Sequence, residues 1–219
     1  MQERLGGAVN AVRSSQLWPR ALSGGPDDPD PRPDLAAARD SLEACGQPDG
    51  FSTVMAVADV ASSVDVARVI ADQLAEVGIE VDIRPLDATT FYATDVGNPD
   101  NVKASGFGLV LATWTADFPT PPSFLVPLVD GRSIRAVGNT NYARLNDADI
   151  NTLIDQARAA GDAPESRGLW REVAAAARDS HAYVPLAETR VQLISGQRLR
   201  NGLVMLPYSG YDLATAGVR

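Results

Sequence analysis

The stretch that most limits what this chain can fold into runs from Gly106 to Leu128, GFGLVLATWTADFPTPPSFLVPL. Its residues 107–112 are an uninterrupted apolar run, the pattern of a strand covered on both faces in the interior of a parallel sheet. The run gives way to Trp114, Thr115, Asp117 and Phe118. Pro119, Pro121 and Pro122 then stop any helix or central strand from continuing. A proline-braced loop therefore leaves the end of a core strand carrying an indole, a hydroxyl, a carboxylate and a phenyl ring. In open α/β sheets, ligands bind in the crevice beyond the carboxyl ends of the strands. Trp114 and Asp117 are thus the first candidates for function. Each has a structural reading beside it: a strand-end tryptophan packs into a core, and an aspartate before prolines bonds its own backbone in a turn.

The segments before this stretch predict an α/β fold. Residues 51–59 read as a strand, and Ser62 with Asp65 resembles a capping box at the start of a helix. That helix carries Val66, Val69, Ile70, Leu74 and Val77 at helical spacing and closes at Gly78. Residues 79–84 then alternate strictly, as a strand with one wet face does. Strand, helix and strand with tight connections predict a parallel βαβ unit, with the 107–114 strand inside the same sheet. Upstream, Asp34 caps a helix whose stripe is Leu35, Ala38, Leu42 and Cys45, so Cys45 is expected to be buried; Gly46 suits the left-handed position after it. A short helix is expected near Thr89–Val96. Residues 1–33, with four prolines and three aspartates in GGPDDPDPRP, read as an extended connector lying on a surface.

Downstream, Asn146 and Asp162 are expected to cap two amphipathic helices forming a hairpin against the sheet. Their inward faces are Ile150, Leu153, Ile154 and Ala157, and Leu169, Trp170, Val173 and Ala177. Residues 183–195 are strand-like, with Glu188 and Arg190 two apart on one face as surface ion-pair partners. Residues 196–219 hold only short apolar fragments.

Composition narrows the function classes. The formal charge of −9 argues against nucleic acid, which is held by cations that neutralise phosphates. No apolar run is long enough to span a bilayer, and MQERLGGAVN has no apolar core of the kind a secretory signal carries. One cysteine and one histidine leave no metal-ligand cluster, and no glycine-rich phosphate loop is present, so neither metal nor cofactor is expected. His181 reads as a helix-end residue. A hydrolase built from His181 with Ser180 or Asp179 fails on geometry, because adjacent helical residues point in different directions.

Several segments resemble the extracellular solute-binding family 5 of ABC importers, the peptide and nickel type. DLAAARDSLEACG (34–46) resembles that family's "DPEKAKALLKEAG" helix, and ARVIADQLAEVGIEVDIRPLD (67–87) its "A..IQ.QL..IGI.VEI..LD" unit. LVLATWTADFPTPPSFL (109–125) resembles "D..L.GW.ADYPDP..FL", and NYARLNDADINTLIDQA (141–157) resembles "NY.GYSNPEVD.LIDEA". YVPLAETRVQLIS resembles "IPLY....V....", and Ala104-Ser105 stands where many members carry a "GDFD" turn. The resemblance runs in order from about Asp34 to Ser195. It implies a periplasmic-binding-protein-like lobe of type II, with a mixed sheet flanked by helices, spanning residues 34–195. Residues 196–219 would return toward a second lobe.

It further implies a non-enzymatic, extracellular, lipoprotein-anchored component that closes its two lobes around a peptide and delivers it to ABC permease subunits. The chain is shorter than full-length members and lacks their signal sequence and lipobox cysteine. The position matched by Asp117 takes the substrate's α-ammonium group in peptide-binding relatives, and Trp114, Thr115 and Phe118 would line the cleft. Nickel complexes and sugars are alternative solutes within the family, and a ligand-sensing lobe of a regulator is an alternative role.

Overall fold

The computed structural model describes residues 2–23, 33–161, 164–205 and 210–219. In chain order, a 3-10 turn (Gln2–Leu5) and β1 (Ala11–Arg13) precede α1 (Arg20–Ser23), α2 (Leu35–Ala44), β2 (Phe51–Ala58), α3 (Ala61–Ala75) and β3 (Ile79–Leu86). A π-turn (Phe91–Asp95), α4 (Pro99–Ala104), β4 (Phe107–Leu111) and α5 (Pro121–Val129) follow. After a 3-10 turn (Gly131–Ser133) come α6 (Ala148–Ala159), α7 (Pro164–Asp179) and β5 (Ala187–Thr189). The tail holds β6 (Leu199–Arg200), β7 (Val204–Met205), β8 (Gly210–Tyr211) and β9 (Gly217–Val218).

The fold is α/β. β2, α3 and β3 form the expected βαβ unit, with Phe51–Ala58 parallel to Ile79–Leu86. β4 joins the same sheet in parallel, but the strand order is β3-β2-β4. β4 is therefore an edge strand that ends at Leu111, not the interior strand over 107–114 that its apolar run predicts. The run reflects two covered faces. Leu109 and Leu111 pack with Met55, Val57 and Ala67 under α3, while Phe107 and Val110 pack with Ala56, Phe91 and Val96 on the other side. A register shift between Val54 and Met55 leaves Gly108 as the extra residue, which keeps Phe107 on its face. A side chain at Gly108 would collide with Thr53 Oγ1. Antiparallel pairing is confined to three separate two-stranded ribbons, β1-β5, β6-β9 and β7-β8.

The largest core lies away from the sheet. α5 and the α6–α7 hairpin bury Leu125, Val129, Ile154, Trp170 and Val173 around Trp18 and Leu22. The hairpin packs on itself and on α5, not against the sheet as expected. Residues 1–33 likewise depart from a surface connector: β1 pairs with β5, and Trp18 is only 3% exposed. Residues 24–32, which hold most of the proline-rich run, lie outside the described residues.

α5 begins inside the segment read as a proline-braced loop. Pro121 and Pro122 occupy its first turn, where their missing N–H groups have no intrahelical partner to lose. Asp34 caps α2 by accepting from the Ala36 and Ala37 amides, as expected. Other local expectations shift. α3 is preceded by Val60 with no side-chain cap, and Asp65 pairs with Arg68 instead of closing a capping box. Asp147, not Asn146, caps α6 by accepting from Asp149 and Ile150 amides, while Asn146 Oδ1 accepts from Asn151. Asp162 lies outside the described residues. Cys45 is exposed because α2 buries only Leu42, so its stripe is one residue wide. Of residues 183–195, only Ala187–Thr189 are a strand, and Glu188 pairs with Arg20, not Arg190. Arg190 donates to the Asn10 and Ala8 carbonyls.

Candidate functional site

The two cores meet in the segment between β4 and α5. β4 belongs to the sheet, whereas Ala116 is buried in the helical core and Trp114 packs half-buried against it. The chain must therefore cross from one core to the other between Leu111 and Ala116. Thr115 and Asp117 are exposed, and the Phe118 ring is 66% exposed. The Phe118 amide donates to Ser123 Oγ at 2.8 Å, which folds the loop back on the first turn of α5. The four residues singled out in the sequence thus sit together on one loop beyond the carboxyl end of a parallel strand.

Two features of this loop do not serve the fold. The Asp117 carboxylate makes no hydrogen bond or ion pair among the described residues, so its turn-residue reading finds no support. Trp114 Nε1 is buried and has no hydrogen-bond partner. An unmade bond of that kind costs about 1–3 kcal/mol. Packing against the helical core therefore holds the indole in spite of its polar atom, and local misfits of this sort concentrate at functional sites.

The far end of α5 shows a carboxylate in the opposite condition. Asp130, 2% exposed, accepts from the Arg132 amide, Nε (2.8 Å) and Nη2, with Arg158 Nη1 at 3.6 Å. Burial pushes its carboxyl upward, but the hydrogen bonds and charges of Arg132 and Arg158 outweigh burial and hold it below the usual carboxylate range. Beside it, buried Asn141 exchanges hydrogen bonds with Leu145 and accepts from the Tyr183 hydroxyl at 3.1 Å. Tyr183 also donates to the Leu128 carbonyl, and burial pushes its hydroxyl well above an ordinary phenol. Every polar group here is spent on structure.

The sequence reading missed Tyr92. Its hydroxyl accepts from the Thr113 amide at 3.1 Å and shares a 3.0 Å hydrogen bond with Thr113 Oγ1, directly before Trp114. The signal was the adjacent pair Phe91-Tyr92, in which a fully buried ring leaves its neighbour facing outward. The residues weighed for hydrolysis form no relay: Asp179 pairs with Arg178, Ser180 donates to the Ala177 carbonyl, and His181 is exposed with φ 59°. Among the described residues, no three His, Cys, Asp or Glu side chains cluster as metal ligands, and no helix is long and apolar enough to cross a membrane.

The family model for bacterial extracellular solute-binding proteins, family 5 Middle, matches residues 3–135, more than half of the chain. The chain belongs to this solute-binding family. A solved family relative, the clavulanic acid biosynthesis oligopeptide binding protein 2, superposes with TM-score 0.89 at 34% identity over 99% of this chain and 40% of its own. The probable di/tripeptide-binding protein 5 of Pseudomonas aeruginosa (strain UCBPP-PA14) is 23% identical over 70% of this chain and 27% of its own length. The heme-binding protein A of Haemophilus influenzae (strain ATCC 51907 / DSM 11121 / KW20 / Rd) is 24% identical over 82% of this chain and 31% of its own. The chain thus spans about a third of the curated relatives it matches.

Proposed function

We propose that this chain is one lobe of the substrate-binding component of an ABC importer that captures peptides outside the cytoplasm. The observation that carries the reading is the exposed, unpartnered Asp117 carboxylate between Trp114 and Phe118. A lone carboxylate offered to solvent beside two rings suits a ligand with one cation and an apolar part, which is the chemistry of a peptide's amino end. The charge-assisted bond to an α-ammonium is worth roughly 1.5–3 kcal/mol once the site is closed. Trp114 and Thr115 line the cleft, and the ring of Phe118 covers the ligand.

Closure takes a second lobe outside this chain, toward which residues 196–219 return, while residues 34–195 form this lobe together with β1 and Trp18, which pack with them. Permease subunits then receive the peptide, and a lipid anchor on the full-length protein holds it at the cell surface or in the periplasm. The role proposed for the loop is binding, as in the solute-binding family to which the chain belongs. The relative named for heme favours one rival class of solute. Calorimetric titration of the full-length protein with short peptides and with heme decides between them. Peptides with a free amino end should bind and heme should not; heme binding without peptide binding would overturn the proposal.

A further inference from the structure

The loop that carries Asp117 is fixed by a residue outside it. β4 is an edge strand, so past Leu111 no strand on its open side holds the backbone. The next hold is the Tyr92 hydroxyl, which takes both the amide and the hydroxyl of Thr113. Residues 114–117 add no side-chain hydrogen bond among the described residues, and Trp114 Nε1 is unpartnered. The direction in which Trp114 and Asp117 leave the sheet therefore depends on where Tyr92 stands.

Tyr92 is itself firmly placed. Phe91 is wholly buried and meets the Tyr92 ring edge-on, with centroids 4.9 Å apart and planes at 83°. On the other side stands Tyr142 at 6.1 Å, its hydroxyl pushed up to about 12 mainly by burial. The π-turn Phe91–Asp95 closes with the Val96 amide on the Phe91 carbonyl. Asn101 Nδ2 donates to the Asp95 carbonyl, and the Asn139 amide donates to the Gly97 carbonyl. Any side chain at Gly97 would strike the Tyr92 carbonyl, so the turn accepts only glycine there. This turn leaves Tyr92 38% exposed beside the start of the loop.

We propose that Tyr92 is the positioning residue of the binding loop: its hydroxyl, clamped on Thr113, sets the placement of Trp114 and Asp117 for ligand capture. The consequence for affinity rests on the peptide-capture reading, whereas the placement of Trp114 does not.

The test uses this chain labelled with 5-fluorotryptophan, whose three tryptophans give three fluorine resonances. Trp114→Phe identifies the loop signal, and buried Trp18 and Trp170 serve as internal controls. Tyr92→Phe should move or broaden the Trp114 signal while leaving the other two in place. In the full-length protein, the same variant should weaken peptide binding roughly two- to tenfold with the thermal midpoint nearly unchanged, since the two hydrogen bonds lost are neutral and exposed. A Trp114 signal at its wild-type position would overturn the proposal. So would unchanged affinity in a protein whose wild type binds peptide. If Tyr92→Phe disperses all three signals, Thr113→Val, which removes only the hydroxyl partner, decides: a shifted Trp114 signal supports the clamp and an unmoved one refutes it. A wild type that binds no peptide tells against peptide capture, and the fluorine spectrum then decides the clamp alone.

Discussion

Two aspartates flank the same short helix in opposite surroundings. Asp130, at the carboxyl end of α5, is buried and spends both oxygens on Arg132 and Arg158. Asp117, four residues before α5 begins, is exposed and bonds to nothing among the described residues. Asp130 is neutralised by its own chain, whereas Asp117 meets no cation among the described residues. An exposed carboxylate between Trp114 and Phe118, with no partner among the described residues, is open to a cationic ligand. Of the two, only Asp117 has its oxygens available to a ligand.

The comparison can be broken first at its buried end. Asn141→Ala should be the most damaging of these changes, at about 3 kcal/mol by chemical denaturation. It strands the Leu145 amide and carbonyl and opens a cavity beside Tyr183. Asp130→Asn should cost about 2–3 kcal/mol, because it leaves two guanidinium groups facing a neutral amide. Arg132 is half exposed, which keeps the loss below that of a fully buried pair.

The pH dependence sharpens the same contrast. Asp130 is held low by Arg132 and Arg158 against burial, and Asp155 is held low by its Arg132 hydrogen bond. A folded-state value below the unfolded one means their stabilisation is fully present above about pH 4. It is lost as pH falls through the folded values. Thermal midpoints should therefore stay level from pH 7 to 5 and drop below pH 4, with a shallower drop in Asp130→Asn. An equal drop in the variant would show that other carboxylates govern acid unfolding. Smallest of all, Asp117→Asn should leave stability within about 0.5 kcal/mol of wild type. A larger loss would mean Asp117 has a structural partner after all.

What could be read in the chain beforehand followed the range of the forces involved. The Asp34 cap, the alternation of β3, the β2-α3-β3 unit and the left-handed Gly46 depend on neighbours within a few residues, and all appear as read. The site loop was legible for the same reason, since an apolar run followed by prolines is a local signal. Trp18 was not, because its partners lie on α5 and α7 far along the chain. The edge position of β4 depends on what pairs beside it, which no periodicity reports. The prolines of α5 misled because the same residue ends a helix in its interior and begins one in its first turn. Tyr92 escaped notice because its role lies in a hydrogen bond 21 residues away.

The account stands most directly on a titration crossing two changes in the full-length protein. Asp117→Asn removes the charge and keeps the shape, and N-acetylation of the peptide removes the ammonium it would meet. With free-amine peptides, the substitution should weaken binding by about 1.5–3 kcal/mol, roughly ten- to a hundredfold. With acetylated peptides, wild type and variant should bind alike and weakly, so the whole effect appears as coupling between the two groups. Equal affinity of both proteins for free-amine peptides would contradict the account and leave Asp117 an ordinary loop residue.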